Sequence, residues 1–377
     1  MWQIAYRTIY SNTSLTEYFQ QASEFSLAGE IFTPEDIYLG QYVAALEAIN
    51  AGTTAVLDHA HHSFSDAGAD AAVDATIESG IRSFYAFAIH ELSNGYSLEE
   101  QIAMLKSMTT DARFSEPDSR IRLGLAYDRF ANAPQEEANE IWEIVQTGNV
   151  SVVTTHWVGG PYGFPDLNSP QTVNRLGWLN KSVPLVFSHA SNPSTVDAYL
   201  LRNTNQYISI TSESEMHFGL SHESSHLLMD QGSLGVDAHF TFGGSMVTQA
   251  RMWLQRVRAR LYLALLNDWD VPLNNPMSAR QAFVLATQHG GLALRRPDLG
   301  VLKVGAQADL VGWDTSGPNL VGWRHPIAAM ILHSDAKDVE DVLVAGRFVK
   351  RGGKLVQQDH EDIIQRFRAS GRKIQDT

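Results

Sequence analysis

The stretch Gly232-Ser-Leu-Gly-Val-Asp237-Ala-His-Phe-Thr-Phe-Gly-Gly244 decides how the rest of the chain is interpreted. Its first half is a brief apolar run bounded by glycines, which predicts a buried strand over residues 233–236. Asp237 then stands at the carboxyl end of that strand, where an ionised side chain must be paired, protonated or bound to a cation. A single aspartate in this position usually caps the following loop, so its meaning depends on whether the pattern recurs.

The pattern recurs upstream, because strand-like and helix-like segments alternate along most of the chain. Seven strands, each followed by a helix, predict parallel strands joined by helical crossovers. Apolar strands such as residues 184–187 fit a sheet that is covered on both faces. An open doubly wound sheet and a (β/α)8 barrel both satisfy these observations.

Two further features favour the barrel. No glycine-rich dinucleotide fingerprint follows an early strand, which counts against the open sheet. Polar side chains gather at the predicted carboxyl ends of the strands, where barrel active sites lie. These side chains are His59, His61, His62, His90, Asp128, His156, His189, Glu213, Glu215 and Asp237.

Composition restricts the classes of function. The chain has 377 residues and 44% hydrophobic content, which suits one barrel-sized domain with an appendage. A net charge of -14, with no compensating basic run, predicts no nucleic-acid partner. The first residues lack the layout of a signal peptide and no apolar stretch approaches the ~18 residues of a membrane span, so we expect a cytoplasmic protein without membrane contact. Without cysteine, any metal must be held by histidine and carboxylate side chains.

Five stretches together resemble the amidohydrolase superfamily, in its branch of chlorohydrolase- and cytosine-deaminase-like enzymes. They are Ala51-Gly-Thr-Thr-Ala-Val-Leu-Asp58, Val153-Thr-Thr-His156, Leu185-Val-Phe-Ser-His-Ala190, residues 233–237, and residues 286–311 with their continuation at 341–349. The resemblance implies an α/β fold: a (β/α)8 TIM-like barrel over residues 1–295, then a small β-sandwich remnant over 296–356. The charged amphipathic tail predicts a helix within residues 357–377.

The resemblance also implies an enzyme and its site. It implies a hydrolase that acts on a C–N or similar bond of a small cyclic or aromatic molecule. His156 would ligate a zinc or iron ion, and Asp237 would ligate the metal or take a proton from its bound water. His189 would be a further ligand, or would hydrogen-bond water and substrate.

The sequence departs from the family pattern at two places. Members supply two metal ligands from a His-x-His pair on their first barrel strand, and commonly carry a glutamate shortly after the fifth-strand histidine. This sequence shows neither feature, and Met1 stands about where the pair would end. We therefore expect a barrel that lacks its first strand, with a metal site that is reduced or lost and zinc or iron at low occupancy.

Several side chains remain open to two interpretations. His59 and His61 share one side of an extended chain, so they replace the absent pair, line the mouth of the pocket or simply face solvent. Glu213 and Glu215 either act as general acid or base or are solvated or salt-bridged. The remaining predicted substrate contacts are His61, His90, Trp157 and His217.

Two classes of function follow from these observations. The first is the metal-dependent hydrolase of a small molecule. The alternative is a metal-independent lyase, isomerase or cyclase, or a non-catalytic binder, that uses His, Asp and Glu side chains on the same fold. A barrel without its first strand exposes strand edges that pair readily with other chains, which predicts a homodimer or higher homo-oligomer.

Overall fold

The computed structural model describes residues 1–162, 167–180, 182–220, 224–357 and 359–377. Seven parallel strands form one sheet and lie side by side in chain order. They are β1 (Ala55–Ala60), β2 (Arg82–Ile89), β3 (Ile121–Tyr127), β4 (Val153–Gly159), β5 (Leu185–Asn192), β6 (Tyr207–Ile210) and β7 (Gly232–Leu234). The predicted α/β barrel-type fold is therefore confirmed, with seven parallel strands among the described residues.

Helices precede, connect and follow these strands. They are α1 (Leu15–Gln21), α2 (Ala28–Ile31), α3 (Pro34–Asn50), α4 (Asp66–Ser79), α5 (Leu98–Met108), α6 (Ala112–Ser115), α7 (Gln135–Thr147), α8 (Pro170–Arg175), α9 (Thr195–Thr204), α10 (Ser212–His217), α11 (Met246–Asn267), α12 (Ala279–Ala286), α13 (Gln288–Ala293), α14 (Pro326–His333) and α15 (His360–Gln375). Within the described ranges, none of them is both long and apolar enough to cross a membrane.

Local sequence explains where the longest early helix begins. The Thr33 hydroxyl accepts a hydrogen bond from the Asp36 backbone amide, and the Asp36 carboxylate accepts one from the Thr33 amide. Pro34 occupies the first turn, where the missing N–H costs nothing. This reciprocal cap starts α3, whose buried side chains include Leu46 and Ile49.

The sheet is open between its two outer strands. In the described parts of the chain, β1 pairs only with β2, and β7 pairs only with β6. The segment before α3 folds as short helices, and Trp2 within it packs edge-on against Phe32 and Phe64 at ring-centroid distances of 4.8 and 5.2 Å. This segment therefore packs against the barrel as helical turns.

A second, smaller sheet follows the barrel. It is antiparallel, with the order β11-β10-β9-β8, and consists of β8 (Leu310–Trp313), β9 (Val339–Val344), β10 (Arg347–Arg351) and β11 (Lys354–Leu355). Its buried valines pack on Ile49 and Ile81 of the barrel. At Gly52, which has a φ of 88°, a Cβ atom would lie 3.2 Å from Val311, so glycine allows the close approach.

The terminal helix α15 is fixed to the start of the chain by polar contacts. Ser370 donates a hydrogen bond to Asp36 at 2.7 Å, and the Lys373 ammonium lies 3.0 Å from the same carboxylate. The Gln375 amide donates to the Ala5 carbonyl at 2.7 Å. The predicted tail helix thus joins α3 and the N-terminal turn in one packed layer.

A buried ion pair joins the two sheets and generates a stability prediction. Arg82 of β2 forms a two-pronged pair with Asp309, at 2.7 and 2.9 Å, and both side chains are less than 10% exposed. We expect Asp309→Ala to lower the free energy of unfolding by about 3 kcal/mol, because it leaves a buried guanidinium without its counter-charge. Urea unfolding measures this loss. The double variant Arg82→Met/Asp309→Leu should recover most of it, and a double variant as unstable as the single one would contradict the explanation.

Candidate active site

Three histidine rings meet at the carboxyl ends of β1 and β4. His59 lies in β1 and His61 directly follows that strand. Their rings stack at 4.4 Å, and they lie 4.2 and 5.2 Å from the ring of His156 in β4. One ligand nitrogen from each of the three lies within 4.8 Å of the others. The structure thus places His59 and His61 beside His156, while His62 turns away to Tyr85, with its Nε2 3.1 Å from the hydroxyl oxygen.

The carboxylate of Asp128, at the end of β3, orients this cluster. Its Oδ1 accepts hydrogen bonds from the His156 backbone amide at 2.6 Å and the Thr155 hydroxyl at 2.8 Å. Its Oδ2 lies 2.9 Å from His156 Nδ1 and 3.5 Å from His59 Nε2. Nε2 of His156 is consequently the nitrogen left for another partner. Across the described residues, His59 Nδ1 is buried without a hydrogen-bond partner.

Burial and charge set opposite protonation states for these imidazoles. Burial lowers the pKa of His59 to about 3, and the neighbouring His156 and His61 act in the same direction. Burial by itself would also lower the pKa of His156, but Asp128 outweighs it and raises that pKa. For Asp128, burial opposes ionisation, yet His156 and His59 hold its pKa well below the usual range. His59 is therefore neutral near pH 7 and Asp128 is ionised.

A second group surrounds His189 in β5. Its Nδ1 lies 2.9 Å from the Thr211 hydroxyl and 3.8 Å from Glu215 Oε1. Glu215 is fully buried, accepts the Thr211 backbone amide at 2.9 Å and pairs with Arg256 at 2.8 Å. Burial would lower the pKa of His189, but Glu215 and Asp237 outweigh it and raise the pKa. Glu215 therefore contacts Thr211 and His189, two residues that line the cavity described below.

Asp237 lies three positions after the end of β7 and accepts a hydrogen bond from the Ser214 hydroxyl. Its φ is 78°, and His189 and Ala190 have φ values of 68° and 50°. Such left-handed backbone is unfavourable for residues other than glycine and concentrates at functional sites. The two strand ends that carry His189 and Asp237 therefore hold strained backbone that turns their side chains toward one cavity.

That cavity has a volume of about 790 Å³, and its lining includes residues of both outer strands, β1 and β7. Its polar end is lined by His59, His61, Asp128, His156, His189 and Asp237. Aromatic side chains from the N-terminal segment and the end of α10 also line it, namely Tyr18, Phe19, Phe25 and Phe218. Its size and mixed lining suit a small molecule with a flat ring.

Some predicted site residues do not line this cavity. Trp157 points away from His156 and packs near Phe187, at a ring distance of 6.5 Å. His217 is exposed, and its Nε2 lies 2.9 Å from the Thr13 carbonyl oxygen. Glu213 accepts a hydrogen bond from the Gln249 amide at 2.8 Å. Alternation along β4 turns Trp157 away, and α10 directs Glu213 toward α11 and His217 toward the N-terminal segment.

The structure places beside His61 a carboxylate that no sequence motif indicated. Glu24, 5% exposed, lies between α1 and α2, and its Oε1 is 3.1 Å from His61 Nδ1. Burial would raise the pKa of Glu24, but His61 and His90 hold it at about 2. His90 follows β2, and burial lowers its pKa to about 4. Glu24 lies 37 positions before His61 (61 − 24), so no local sequence pattern links the two.

Two sets of three potential metal ligands occur among the described residues. They are His59, His61 and His156, and Glu24, His61 and His90. The set implied by the family resemblance, His156 with His189 and Asp237, is not among those whose ligand atoms lie within 4.8 Å of one another. His156 instead shares its surroundings with the two histidines from β1.

Comparisons with known proteins agree with this architecture. The model of the amidohydrolase family matches residues 183–349. A 5-methylthioadenosine/S-adenosylhomocysteine deaminase from Pelotomaculum thermopropionicum is 24% identical over 344 residues, covering 89% of this chain and 75% of the relative. A deaminase of the same name from Moorella thermoacetica is 25% identical over 350 residues, covering 87% and 74%.

Solved structures show the same fold. An adenosine deaminase from Xanthomonas campestris with bound zinc superposes with a TM-score of 0.84 at 18% identity, covering all of this chain and 83% of that protein. An atrazine chlorohydrolase from Arthrobacter aurescens complexed with zinc gives a TM-score of 0.81 at 19% identity, covering 98% and 85%. The family resemblance and the barrel-type fold predicted from the five stretches are confirmed.

The raised pKa of His189 leads to a prediction about pH. A histidine whose pKa is raised on folding stabilises the chain below its unfolded pKa of about 6.5, and this stabilisation is lost as pH rises through the folded pKa. We expect His189→Gln to lower the free energy of unfolding more at about pH 6 than at about pH 9. Urea unfolding with a chelator present measures both values. His217→Gln is the exposed control, and an equal loss for His189→Gln at both pH values would refute the assignment.

Proposed function

We propose that this chain, a hydrolase of the amidohydrolase superfamily, is a deaminase that removes an exocyclic amine from a purine ring. The observation that carries this proposal is the convergence of His156, His189 and Asp237 on one cavity at the carboxyl ends of β4, β5 and β7. These are acid–base groups on three different strands, the arrangement on which barrel enzymes build their chemistry. The deaminase relatives supply the substrate class.

The cavity fits a flat heterocycle. Tyr18, Phe19 and Phe25 bring aromatic surface to it from the N-terminal segment, and Phe218 does so from the end of α10. Aromatic faces favour planar ring systems, while the histidines at the polar end can hydrogen-bond ring nitrogens. A purine with its amine directed at the polar end satisfies both parts of the lining.

The acid–base roles follow from the hydrogen bonds. Asp237 would take a proton from the attacking water and deliver it to the amine, which leaves as ammonia. His189 has Nδ1 near the Thr211 hydroxyl, so its Nε2 is available to hold the water or a ring atom. Glu215 is a positioning residue, since it holds Thr211 and neutralises Arg256. Each reaction consumes one water and releases one ammonia, so that an oxygen replaces the amine on the ring carbon.

The residues present fit a metal ion. Three imidazoles suit zinc or iron, and the buried Nδ1 of His59 has no hydrogen-bond partner in the described residues. His59, His61 and His156 would hold the ion, and Asp128 would orient His156 from behind, as carboxylates do for ligating histidines. When bound, such an ion lowers the pKa of water toward neutrality.

A substrate panel tests the function directly. We expect ammonia release from 5-methylthioadenosine, S-adenosylhomocysteine or adenosine, with atrazine as the non-purine comparison. Asp237→Asn should lower kcat/KM at least about 100-fold, the lower bound for loss of a general acid–base group. His217→Asn, which changes an exposed histidine outside the cavity, should stay near the parent value. Binding of a purine without ammonia release from any panel member would instead favour the non-catalytic binder.

Asp128 gives a prediction about metal affinity. Asp128→Asn removes the charge beside His156 Nδ1 while keeping the size of the side chain. We expect zinc affinity at the three-histidine set to fall by about 10- to 100-fold, as for other carboxylates behind ligating histidines. Competition with a chromophoric chelator measures it in a His90→Asn background, because His90 belongs to the other set of three potential ligands. Asp314→Asn, at an exposed loop position, is the matched control, and equal affinity in both variants would rule out this role.

A further inference from the structure

We propose that Glu24, His61 and His90 form a second binding site for a divalent transition-metal cation. The site lies beside the three-histidine set and shares His61 with it. One ligand atom from each of the three side chains lies within 4.8 Å of the other two. This inference concerns ion binding alone and does not depend on the reaction proposed above.

Unpartnered buried atoms are the first support. Within the described ranges, Glu24 Oε2, His61 Nδ1 and His90 Nε2 are all buried and make no hydrogen bond. Glu24 Oε1 lies at ion-pair distance from His61 Nδ1, 3.1 Å, but the geometry is not that of a hydrogen bond. Leaving buried polar atoms unsatisfied costs about 1–3 kcal/mol each. Glu24, His61 and His90 thus each carry a buried atom without a hydrogen bond, and a cation shared by the three side chains would satisfy these atoms.

The backbone around the site holds the ligands in place. Gln101, fully buried, accepts a hydrogen bond from the His90 amide at 2.9 Å and donates one to the His90 carbonyl at 2.9 Å. The rings of His61 and His90 are nearly parallel, at 8° and 6.0 Å between centroids. Phe25 stands edge-on to His90 at 5.8 Å and shields that side. The ligands are thus preorganised in a partly apolar surrounding.

The ligand chemistry selects the class of ion. Two histidines and one carboxylate form a known catalytic zinc set and also the ligand set of non-haem iron. Magnesium and calcium prefer oxygen ligands, so a site with two imidazoles disfavours them. We therefore assign the site to zinc or ferrous iron, and zinc is the probe used below.

Sharing His61 makes the two sites exclusive. A neutral imidazole ligates through one nitrogen and carries a proton on the other. His61 Nδ1 lies 3.1 Å from Glu24 Oε1, so Nδ1 would serve the second site and leave Nε2 for the first. An ion in either site therefore takes His61 from the other, and one ion per chain is expected. Because Glu24 belongs to the segment before α3, an ion in the second site would also tie this segment to β1 and β2.

Zinc binding by paired variants separates the two sites. The full chain is stripped with a chelator and titrated with zinc alone, and bound metal is counted by elemental analysis after desalting. His59→Asn/His156→Asn removes the first site, Glu24→Gln/His90→Asn removes the second, and the four changes together remove both. Glu30→Gln/His325→Asn, at exposed positions, is the matched control.

The proposal expects about one zinc ion in the parent, in each double variant and in the control, and none in the fourfold variant. Loss of zinc in His59→Asn/His156→Asn with full binding in Glu24→Gln/His90→Asn would overturn the second site and leave the metal set of the proposed function standing. The reverse pattern would support the second site and remove that metal set from the proposed function. A parent chain that binds no zinc would overturn both.

The melting temperature gives a second measure of zinc binding and also reports whether each variant is folded. Zinc should raise the melting temperature of His59→Asn/His156→Asn, because an ion bound only by the folded chain stabilises it. The rise should disappear when His90→Asn is added. His90→Asn is added without Glu24→Gln because it is the milder change, since Gln101 contacts only the backbone of residue 90. An undiminished rise in the triple variant would contradict the site.

Discussion

Parallel pairing in chain order is the constraint on which the rest of the structure depends. Because β1 to β7 all run in one direction, their carboxyl ends meet at one edge of the sheet. His59 opposes Ala86 in the register of β1 and β2, and His156 opposes Ser188 in that of β4 and β5. Small neighbours at these positions leave room for the rings to turn inward. The polar end of the cavity and the three-histidine set follow from this arrangement.

Buried charge is balanced locally around the cavity. Asp128 faces His156 and His59, Glu215 faces Arg256 and His189, and Glu24 faces His61. Each of these three carboxylates thus has a basic partner, and the desolvation of the buried Glu215 and Glu24 requires one. The imidazole of His59, whose pKa burial lowers to about 3, remains neutral and able to ligate. Uncharged imidazole and ionised carboxylate are the forms in which metals are bound.

The helical segment before α3 completes the site. It supplies Glu24 to the ligand cluster and the rings of Tyr18 and Phe25 to the cavity. Trp2 fixes the segment against Phe32 and Phe64, and α15 holds it from outside through the bond of Gln375 to Ala5. A segment without strand character therefore provides both a potential ligand and much of the aromatic lining.

The sequence by itself determined the fold class and the family resemblance, because the period of apolar segments and five local motifs are properties of neighbouring residues. It also located His156, His189 and Asp237 at strand ends, and alternation placed His59 and His61 on one side of the chain. Only the tertiary structure decided which side chains meet. Glu24 reaches His61 across 37 positions, and Trp157 and His217 turn away from the cavity. Contacts of this kind depend on how separate elements pack, and packing is not encoded in any single stretch of the chain.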